Sequence, residues 1–224
     1  MNNLHNVTEA DYIAQMESFR PEVYNKYLKP GSIVYDLGAF KGVLTVQFAK
    51  MGYEVIAVEA STRNYPDLLI NTTSLKNVTC INKAIHETDK GLVHTRFNDC
   101  LGLDHPEQPI DYISLNTLIE KYLFPTPDFI KMDIEGMETV VLKSCDNIFK
   151  NIRPIWQLSI HDTEPHGKIC IYSDFPGFVY PEKGGYIFNN IFNFNYKAFT
   201  LDMKPVDNIG GFEEYFLIPD EKII

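Results

Sequence analysis

Short apolar runs alternate with helical patterns along this chain, and the alternation constrains the fold more than any other feature. The runs cover Ile33 to Leu37, Val55 to Val58, Val78 to Ile81, Asp128 to Glu135 and Ile155 to Ile160. Runs of this kind predict buried strands, and the helices between them connect neighbouring strands in parallel. We therefore predict an α/β fold with a mainly parallel sheet and helices on both faces.

The length of 224 residues predicts one principal domain with additions rather than two domains. Residues 1–30 have mostly helical spacing, and we interpret them as a lid or cap on a domain that spans residues 31–224. Within that domain, residues 91–118 interrupt the alternation and predict an inserted hairpin. Residues 162–185 are irregular and rich in Pro, Gly and aromatic residues, which predicts a substrate loop.

The segment IKMDIEGME, residues 130–138, carries the densest group of charges at the end of a predicted strand. Strand alternation places Lys131, Asp133 and Glu135 on one side. Because ligands bind in the crevice outside the carboxyl ends of such strands, the three charges are candidate site residues. The alternative is a solvated strand end, with Glu135 and Glu138 complementing the dipole of the next helix.

The loop after the first strand reads VYDLGAFKG and begins a helix at Gly42. It lacks the GxGxxG pattern of dinucleotide-binding loops, and Asp36 disfavours a pyrophosphate. A ligand with an ammonium group, such as the methionine end of S-adenosylmethionine, suits that carboxylate better. Glu59 ends the second strand and fits an acid that binds ribose hydroxyls. The alternative is that Gly38 and Gly42 serve only a tight turn and that Glu59 is an exposed strand end.

Composition excludes several classes of protein. The formal net charge of −10 disfavours binding to nucleic acid, since no basic patch offsets it. We see no apolar stretch long enough to span a membrane and no leader sequence, so we expect a cytoplasmic protein. The four cysteines are widely spaced, which argues against a zinc site or a disulfide framework.

Four motifs, VYDLGAFKG, AVEAS, INKAI and FIKMDIEGMETVVLKS, resemble the FkbM-type S-adenosylmethionine-dependent methyltransferases in matching order over roughly residues 33–161. The resemblance implies the class I methyltransferase fold, which is Rossmann-like: a seven-stranded sheet whose last strand is antiparallel, here Tyr215 to Ile218. It also implies S-adenosylmethionine as cofactor and O-methylation of a sugar, a surface glycan or a natural product.

Site residues follow from the same resemblance, position by position. Those near the methionine part of the cofactor are Asp36, Gly38, Ala39 and Gly42. Glu59 holds the ribose, Asn82 to Ala84 lie near the adenine, and Ala60 is a further cofactor-binding residue. The acceptor side comprises Lys131, Asp133, Glu135 and His161.

A hydroxyl acceptor needs a base, and we expect it to be Asp133 or His161. Glu135 then orients the acceptor, while Lys131 holds the carboxylates in place or stabilises the developing alkoxide. A divalent metal bound by Asp133, His161 and Asp162 is an alternative, and we favour the metal-free reaction.

Three other functions stay open at this stage. An N-methyltransferase acting on an amine or phosphoramidate could use the same positioning groups. A non-catalytic subunit predicts cofactor binding without turnover. A nicotinamide-dependent reductase fits poorly, because the dinucleotide loop pattern is missing. The motifs do not determine the acceptor or the oligomeric state.

Overall fold

The computed structural model describes residues 4–95, 108–121, 124–161 and 190–224. The helices are α1 (Glu9–Glu17), α2 (Pro21–Tyr27), α3 (Val43–Lys50), α4 (Tyr65–Thr72), α5 (Leu115–Lys121) and α6 (Glu138–Leu142). The strands are β1 (Ile33–Leu37), β2 (Glu54–Val58), β3 (Val78–Ile81), β4 (Ala84–His86), β5 (Gly91–Thr95), β6 (Gln108–Ser114), β7 (Phe129–Met132), β8 (Ile155–His161), β9 (Tyr196–Thr200), β10 (Pro205–Val206) and β11 (Phe212–Pro219). A π-helical turn covers Ile148–Ile152, and 3-10 turns cover Ile191–Phe194 and Asp220–Lys222.

Eight strands form the main sheet, in the order β10-β9-β11-β8-β7-β1-β2-β3. Strands β1, β2, β3, β7 and β8 pair in parallel, while β11 is antiparallel to both β8 and β9. The predicted fold class and the antiparallel last strand are therefore confirmed. The sheet has eight strands instead of the predicted seven, because the chain turns back after β9 and adds the two-residue β10 at the edge.

Both faces of the sheet are covered by helices, as predicted. On one face, strand residues such as Val34 and Phe129 pack with Phe48 of α3 and with residues of α2. On the other face, Tyr35 and Trp156 pack with residues of α5, α6 and the π-helical turn. Alternate strand residues point to opposite faces, so side chains of these strands contribute to both hydrophobic cores.

A second sheet has the strand order β4-β6-β5. Strand β4 is parallel to β6, and β5 is antiparallel to β6. The antiparallel pair falls within residues 91–118, the segment interpreted as an inserted hairpin, and residues 96–107 between its strands lie outside the described residues. Strand β6 ends at Ser114 and α5 begins at the next residue. The predicted substrate loop, residues 162–185, also lies outside the described residues.

The predicted strand from Asp128 to Glu135 is too long, because β7 ends at Met132. Glu135 and Gly136 have φ angles of +56° and +96°, which belong to the left-handed region and end an extended strand. The N–H of Asp133 still donates to the carbonyl of Leu37 at 3.0 Å, so Asp133 stays beside β1. No helix in the described part of the chain combines the length and apolar character needed to cross a bilayer.

Candidate active site

Polar side chains lie next to one another on the central strands, and two of them, Asp36 and Lys131, lie near the carboxyl ends of β1 and β7. The register of the main sheet pairs Asp36 of β1 with Lys131 of β7, and Lys131 with Gln157 of β8. All three side chains are buried. By strand alternation they share the face on which Val34 and Phe129 pack with α3. The crevice in which open α/β sheets bind their ligands lies just beyond the carboxyl ends of these strands.

Five charged residues form a continuous row from β1 to the start of α6, and we call this set the ion row. The Nζ atom of Lys131 lies 3.8 Å from Asp36 Oδ1 and 3.4 Å from Asp133 Oδ2. Asp133 Oδ1 lies 3.7 Å from Nε2 of His161, and Nδ1 of His161 lies 3.1 Å from Glu138 Oε1. Acidic and basic groups therefore alternate along the row.

Asp36 forms the buried end of the ion row. Its Oδ2 atom accepts a hydrogen bond from the hydroxyl of Thr45 at 2.6 Å. Its Oδ1 atom has no hydrogen-bond partner among the described residues. Burial raises the pKa of Asp36, and Lys131 and Thr45 oppose that rise. A buried oxygen of this kind suits a ligand group that donates hydrogen bonds or carries positive charge.

Lys131 and Asp133 are a buried cation and its more exposed partner. Lys131 is 1% exposed, and it also donates to the carbonyl of Gly38 at 3.3 Å. Burial alone lowers the pKa of a lysine, but the charges of Asp133 and Asp36 raise it to about 12. Burial also acts to raise the pKa of Asp133, yet Lys131 and His161 more than reverse this and hold it below its usual range. At neutral pH Lys131 is therefore cationic and Asp133 is ionised.

His161 is held as a cation at the end of β8. Burial acts to lower its pKa, but the hydrogen bond to Glu138 and the charges of Glu138, Asp133 and Glu135 raise it to about 9. At neutral pH both ring nitrogens of His161 therefore carry hydrogen, and the side chain acts as a donor.

Glu138 is not among the residues predicted for the acceptor side. It is 1% exposed and lies at the first position of α6. Besides His161, its Oε1 atom accepts hydrogen bonds from the N–H groups of Ile134 at 3.0 Å and Gly136 at 3.2 Å. The signal that could have identified it is helical spacing, because Glu138 lies three and four residues before the apolar Val141 and Leu142. That spacing places its side chain on the buried side of the helix.

Glu135 is the exposed member of the charged group after β7. Its left-handed backbone is uncommon for a residue other than glycine, and such conformations concentrate at functional sites. Asp133, Glu135 and His161 each offer a ligand atom, and these atoms lie within 4.8 Å of one another. They are the described residues that could hold a metal ion.

The glycine loop, residues 38–42, lies directly against the ion row. Gly38 has a φ of +82°, and a Cβ atom there would lie 1.7 Å from the carbonyl oxygen of Asp133. Phe40 and Gly42 are also left-handed, and a Cβ at Gly42 would meet Leu68 at 2.8 Å. Backbone conformation therefore favours glycine at both positions, and at Gly38 the close approach of a backbone atom requires it as well.

Glu59 joins the glycine loop to the end of β2. Its Oε2 atom accepts a hydrogen bond from the N–H of Phe40 at 2.7 Å, and its Oε1 atom accepts one from the N–H of Ser61 at 2.8 Å. The side chain is buried rather than exposed, and burial raises its pKa to about 7, against the effect of these two donors. Hydrogen bonds therefore fix the Glu59 side chain between the glycine loop and the residues that follow β2.

The remaining predicted cofactor residues fall into two groups. Asn82 donates through Nδ2 to the carbonyls of Glu59 at 2.8 Å and Ala60 at 3.3 Å, so these residues form one surface. Ala39 belongs to the glycine loop itself, and its N–H donates to Val58 at 3.0 Å. Ala84, in contrast, begins β4 and pairs with a strand of the second sheet.

A family model and several solved structures match the chain. The profile of the methyltransferase FkbM domain matches residues 36–197, which is more than half of the chain. No curated protein sequence matches significantly. Among solved structures, the FkbM methyltransferase of Methylobacillus flagellatus KT is 16% identical with a TM-score of 0.52, and the match covers 88% of this chain and 50% of that one. The chain thus spans half the length of that relative.

Two further solved structures match over much of the chain with lower TM-scores. A SAM-dependent methyltransferase from Aquifex aeolicus is 16% identical with a TM-score of 0.45, and the match covers 92% of this chain and 93% of that one. Aeropyrum pernix fibrillarin, solved with natively bound S-adenosyl-L-methionine, is 12% identical with a TM-score of 0.45. The match covers 85% of this chain and 67% of that one. With its domain match and its class I fold, the chain belongs to the FkbM family of S-adenosylmethionine-dependent methyltransferases.

Proposed function

We propose that this chain transfers the methyl group of S-adenosylmethionine to a hydroxyl group of a sugar, a glycan or a natural product. The position of Asp133 carries the proposal. Its backbone carbonyl lies against Gly38 of the glycine loop, and its side chain lies between the cations Lys131 and His161. An ionised carboxylate thus lies beside the glycine loop, which the family resemblance assigns to the cofactor. The net charge of −10 favours a small acceptor over the phosphate backbone of a nucleic acid.

The groups around the glycine loop fit this cofactor. Asp36 Oδ1 has no hydrogen-bond partner among the described residues and suits the ammonium group of the methionine part. Each oxygen of Glu59 accepts one backbone N–H and retains a lone pair for a ribose hydroxyl. The surface formed by Asn82 and Ala60 then lies against the adenine part of the cofactor. When bound, the cofactor supplies an electrophilic methyl group on a sulfonium leaving group.

Asp133 is the base in this proposal. His161 has a pKa of about 9 and is already protonated at neutral pH, so it cannot take the proton. Asp133 is ionised, and its side chain is about one-fifth exposed. A carboxylate of lowered pKa is a weak base, so proton transfer accompanies formation of the C–O bond, when the hydroxyl is most acidic. Positioning of the acceptor supplies much of the remaining rate.

The other charged residues support Asp133. Lys131 balances the charges of Asp36 and Asp133 in the buried part of the ion row. His161 presents a positively charged N–H toward Asp133. This group can stabilise the acceptor oxygen as that oxygen loses its proton to Asp133. The exposed Glu135 orients neighbouring hydroxyls of the acceptor.

In this proposal the N-terminal segment, residues 1–30, caps the domain, and the contacts at the two ends of α1 support this role. Near one end of α1, Lys41 of the glycine loop donates to the carbonyl of Asn6 at 2.7 Å and lies 3.6 Å from Asp11. Just past the other end, the carbonyl of Ser18 accepts a hydrogen bond from the side chain of Gln157 at 2.8 Å. Helix α1 is therefore anchored to the glycine loop on one side and to β8 on the other, which is the arrangement expected of a cap.

We favour a metal-free reaction. Asp133, Glu135 and His161 lie close enough together to hold an ion. However, the Nδ1 atom of His161 contacts Glu138, and its pKa of about 9 keeps the ring protonated at neutral pH. A metal ion would have to displace a proton from the ring, which lowers the affinity of this site for a metal at neutral pH.

A labelled-cofactor screen tests the proposed function. The purified protein is incubated with methyl-labelled S-adenosylmethionine and a panel of nucleotide sugars, glycans and amines, and the products are analysed by mass spectrometry. We expect label on a hydroxyl oxygen. Label on nitrogen would replace the proposal with N-methylation. Tight cofactor binding with no transfer to any acceptor would instead favour a non-catalytic subunit.

A further inference from the structure

The ion row contains one buried carboxylate that the proposed reaction does not use directly. Glu138 is 1% exposed and lies outside hydrogen-bond contact with Asp133, because His161 is between them. A buried carboxylate is costly unless several donors and a positive charge compensate it. The groups that contact Glu138 therefore indicate the role of its charge.

Three donors converge on a single oxygen of Glu138. The N–H groups of Ile134 and Gly136 lie at 3.0 and 3.2 Å from Oε1, and Nδ1 of His161 lies at 3.1 Å. The two backbone donors flank Glu135, whose left-handed conformation must be held by its surroundings. One carboxylate oxygen thus fixes both the turn after β7 and the ring at the end of β8.

The bond to Nδ1 also sets which way the ring of His161 faces. An imidazole bonded through one nitrogen presents the other nitrogen on the opposite side of the ring. Here Nε2 lies 3.7 Å from Asp133 Oδ1, which is an ion-pair distance rather than a hydrogen bond. Rotation of the ring would remove this positive group from Asp133.

We propose that Glu138 is a positioning residue, which holds His161 against Asp133 through Nδ1 and holds the turn carrying Glu135 through two backbone N–H groups. This inference rests on the proposed function, because it assumes that Asp133 takes the proton. Among the described residues, the charged groups that face the ring of His161 are Glu138, Asp133 and Glu135. Of these three, Glu138 lies 3.1 Å from Nδ1, within hydrogen-bond distance.

The first test observes His161 without requiring an acceptor. The variant Glu138→Gln keeps an oxygen for the two backbone donors and removes the negative charge. Nitrogen NMR of the imidazole, recorded with S-adenosylhomocysteine bound, should show the midpoint of His161 titration falling by at least about one pH unit in the variant. The control is Glu54→Gln, which removes an exposed carboxylate from the start of β2 and should leave that midpoint unchanged. An unchanged midpoint in Glu138→Gln would overturn the inference.

The second test is turnover on an acceptor found in the screen. We expect Glu138→Gln to lower kcat about 10- to 100-fold with little change in the KM for S-adenosylmethionine. In a His161→Gln background, adding Glu138→Gln should cost less than about threefold, because the residue through which it acts is already gone. Full additivity of the two changes, or a rise in the KM for the cofactor alone, would contradict a positioning role.

The outcomes separate this inference from the proposed function. If wild-type protein transfers no methyl group but the NMR midpoint still falls in Glu138→Gln, the geometry is right and the reaction is wrong. If transfer occurs and Glu138→Gln behaves as wild type in both tests, the reaction stands and the positioning role is wrong. If Glu138→Gln is too unstable to assay, Glu138→Asp keeps the charge on a shorter side chain. That variant should retain the raised midpoint less fully than wild type, and a midpoint equal to that of wild type would contradict the inference.

Discussion

The charge of His161 should make the stability of the protein depend on pH. The pKa of this residue is about 9 in the folded protein and near its ordinary value of 6.5 when the chain unfolds. A group whose pKa is raised by folding contributes its full stabilisation below the lower value. It loses that contribution as the pH rises through the higher one. Stability should therefore fall between these two pH values.

The expected size of this loss follows from the two pKa values. They differ by about 2.5, obtained as 9 minus 6.5, and each pKa unit corresponds to about 1.4 kcal/mol. The His161 side chain is 10% exposed, so solvent screening reduces this figure only slightly. The contribution is therefore about 3 kcal/mol, which is a large part of the stability of a typical domain.

Urea unfolding at about pH 6 and about pH 9.5 measures this contribution when the wild type is compared with His161→Gln. Wild type should lose about 3 kcal/mol more than the variant between the two conditions. His5→Gln is the matched control, because His5 is half exposed and its Nε2 lies 3.6 Å from a carboxylate oxygen of Asp67. Equal pH dependence in wild type and His161→Gln would refute the ion row as described, since His161 would then not be a cation.

Further predictions concern burial, close packing and metal. Replacing the buried Lys131 by Met should lower the free energy of unfolding by about 3 to 5 kcal/mol, because Asp36 and Asp133 lose their cation. The exposed control Lys150→Met should lower it by less than about 1 kcal/mol. Gly38→Ala should reduce S-adenosylhomocysteine affinity at least about tenfold in calorimetry, because its Cβ meets the carbonyl of Asp133. Gly31→Ala, equally left-handed but with open space around it, should bind normally. Turnover should survive EDTA, and a loss that Mg²⁺ restores would overturn the metal-free reaction.

Much of the fold could be predicted from local patterns. The apolar runs of β1, β2, β3 and β8 are short and separated by helical spacing, and their parallel pairing follows from the helical crossovers. The predicted strand continues beyond the observed end of β7, because alternation of Asp133 and Glu135 looks the same in a strand and in a strand followed by a left-handed turn. The pairing of β4 with β6 joins segments far apart in sequence, and no local pattern specifies it.

Part of the candidate site could also be predicted from the sequence, and part of it could not. Strand ends predict that Lys131 and Asp133 lie near the glycine loop and near His161, because parallel strands end at one edge of the sheet. The alternation of charge from Asp36 to Glu138 depends on the register between β1 and β7 and on the start of α6. Register and side-chain direction are fixed by tertiary packing. The protonation of His161, and hence the choice of Asp133 as base, required those distances.

Methyl transfer by Asp133→Asn tests the central claim most directly. The variant and wild type are compared at saturating labelled S-adenosylmethionine with an acceptor from the screen, and binding of S-adenosylhomocysteine is measured in parallel by calorimetry. We expect at least about a tenfold loss of transfer with cofactor affinity within about twofold of wild type, because the amide cannot take the proton. Near-normal transfer by Asp133→Asn would contradict the account.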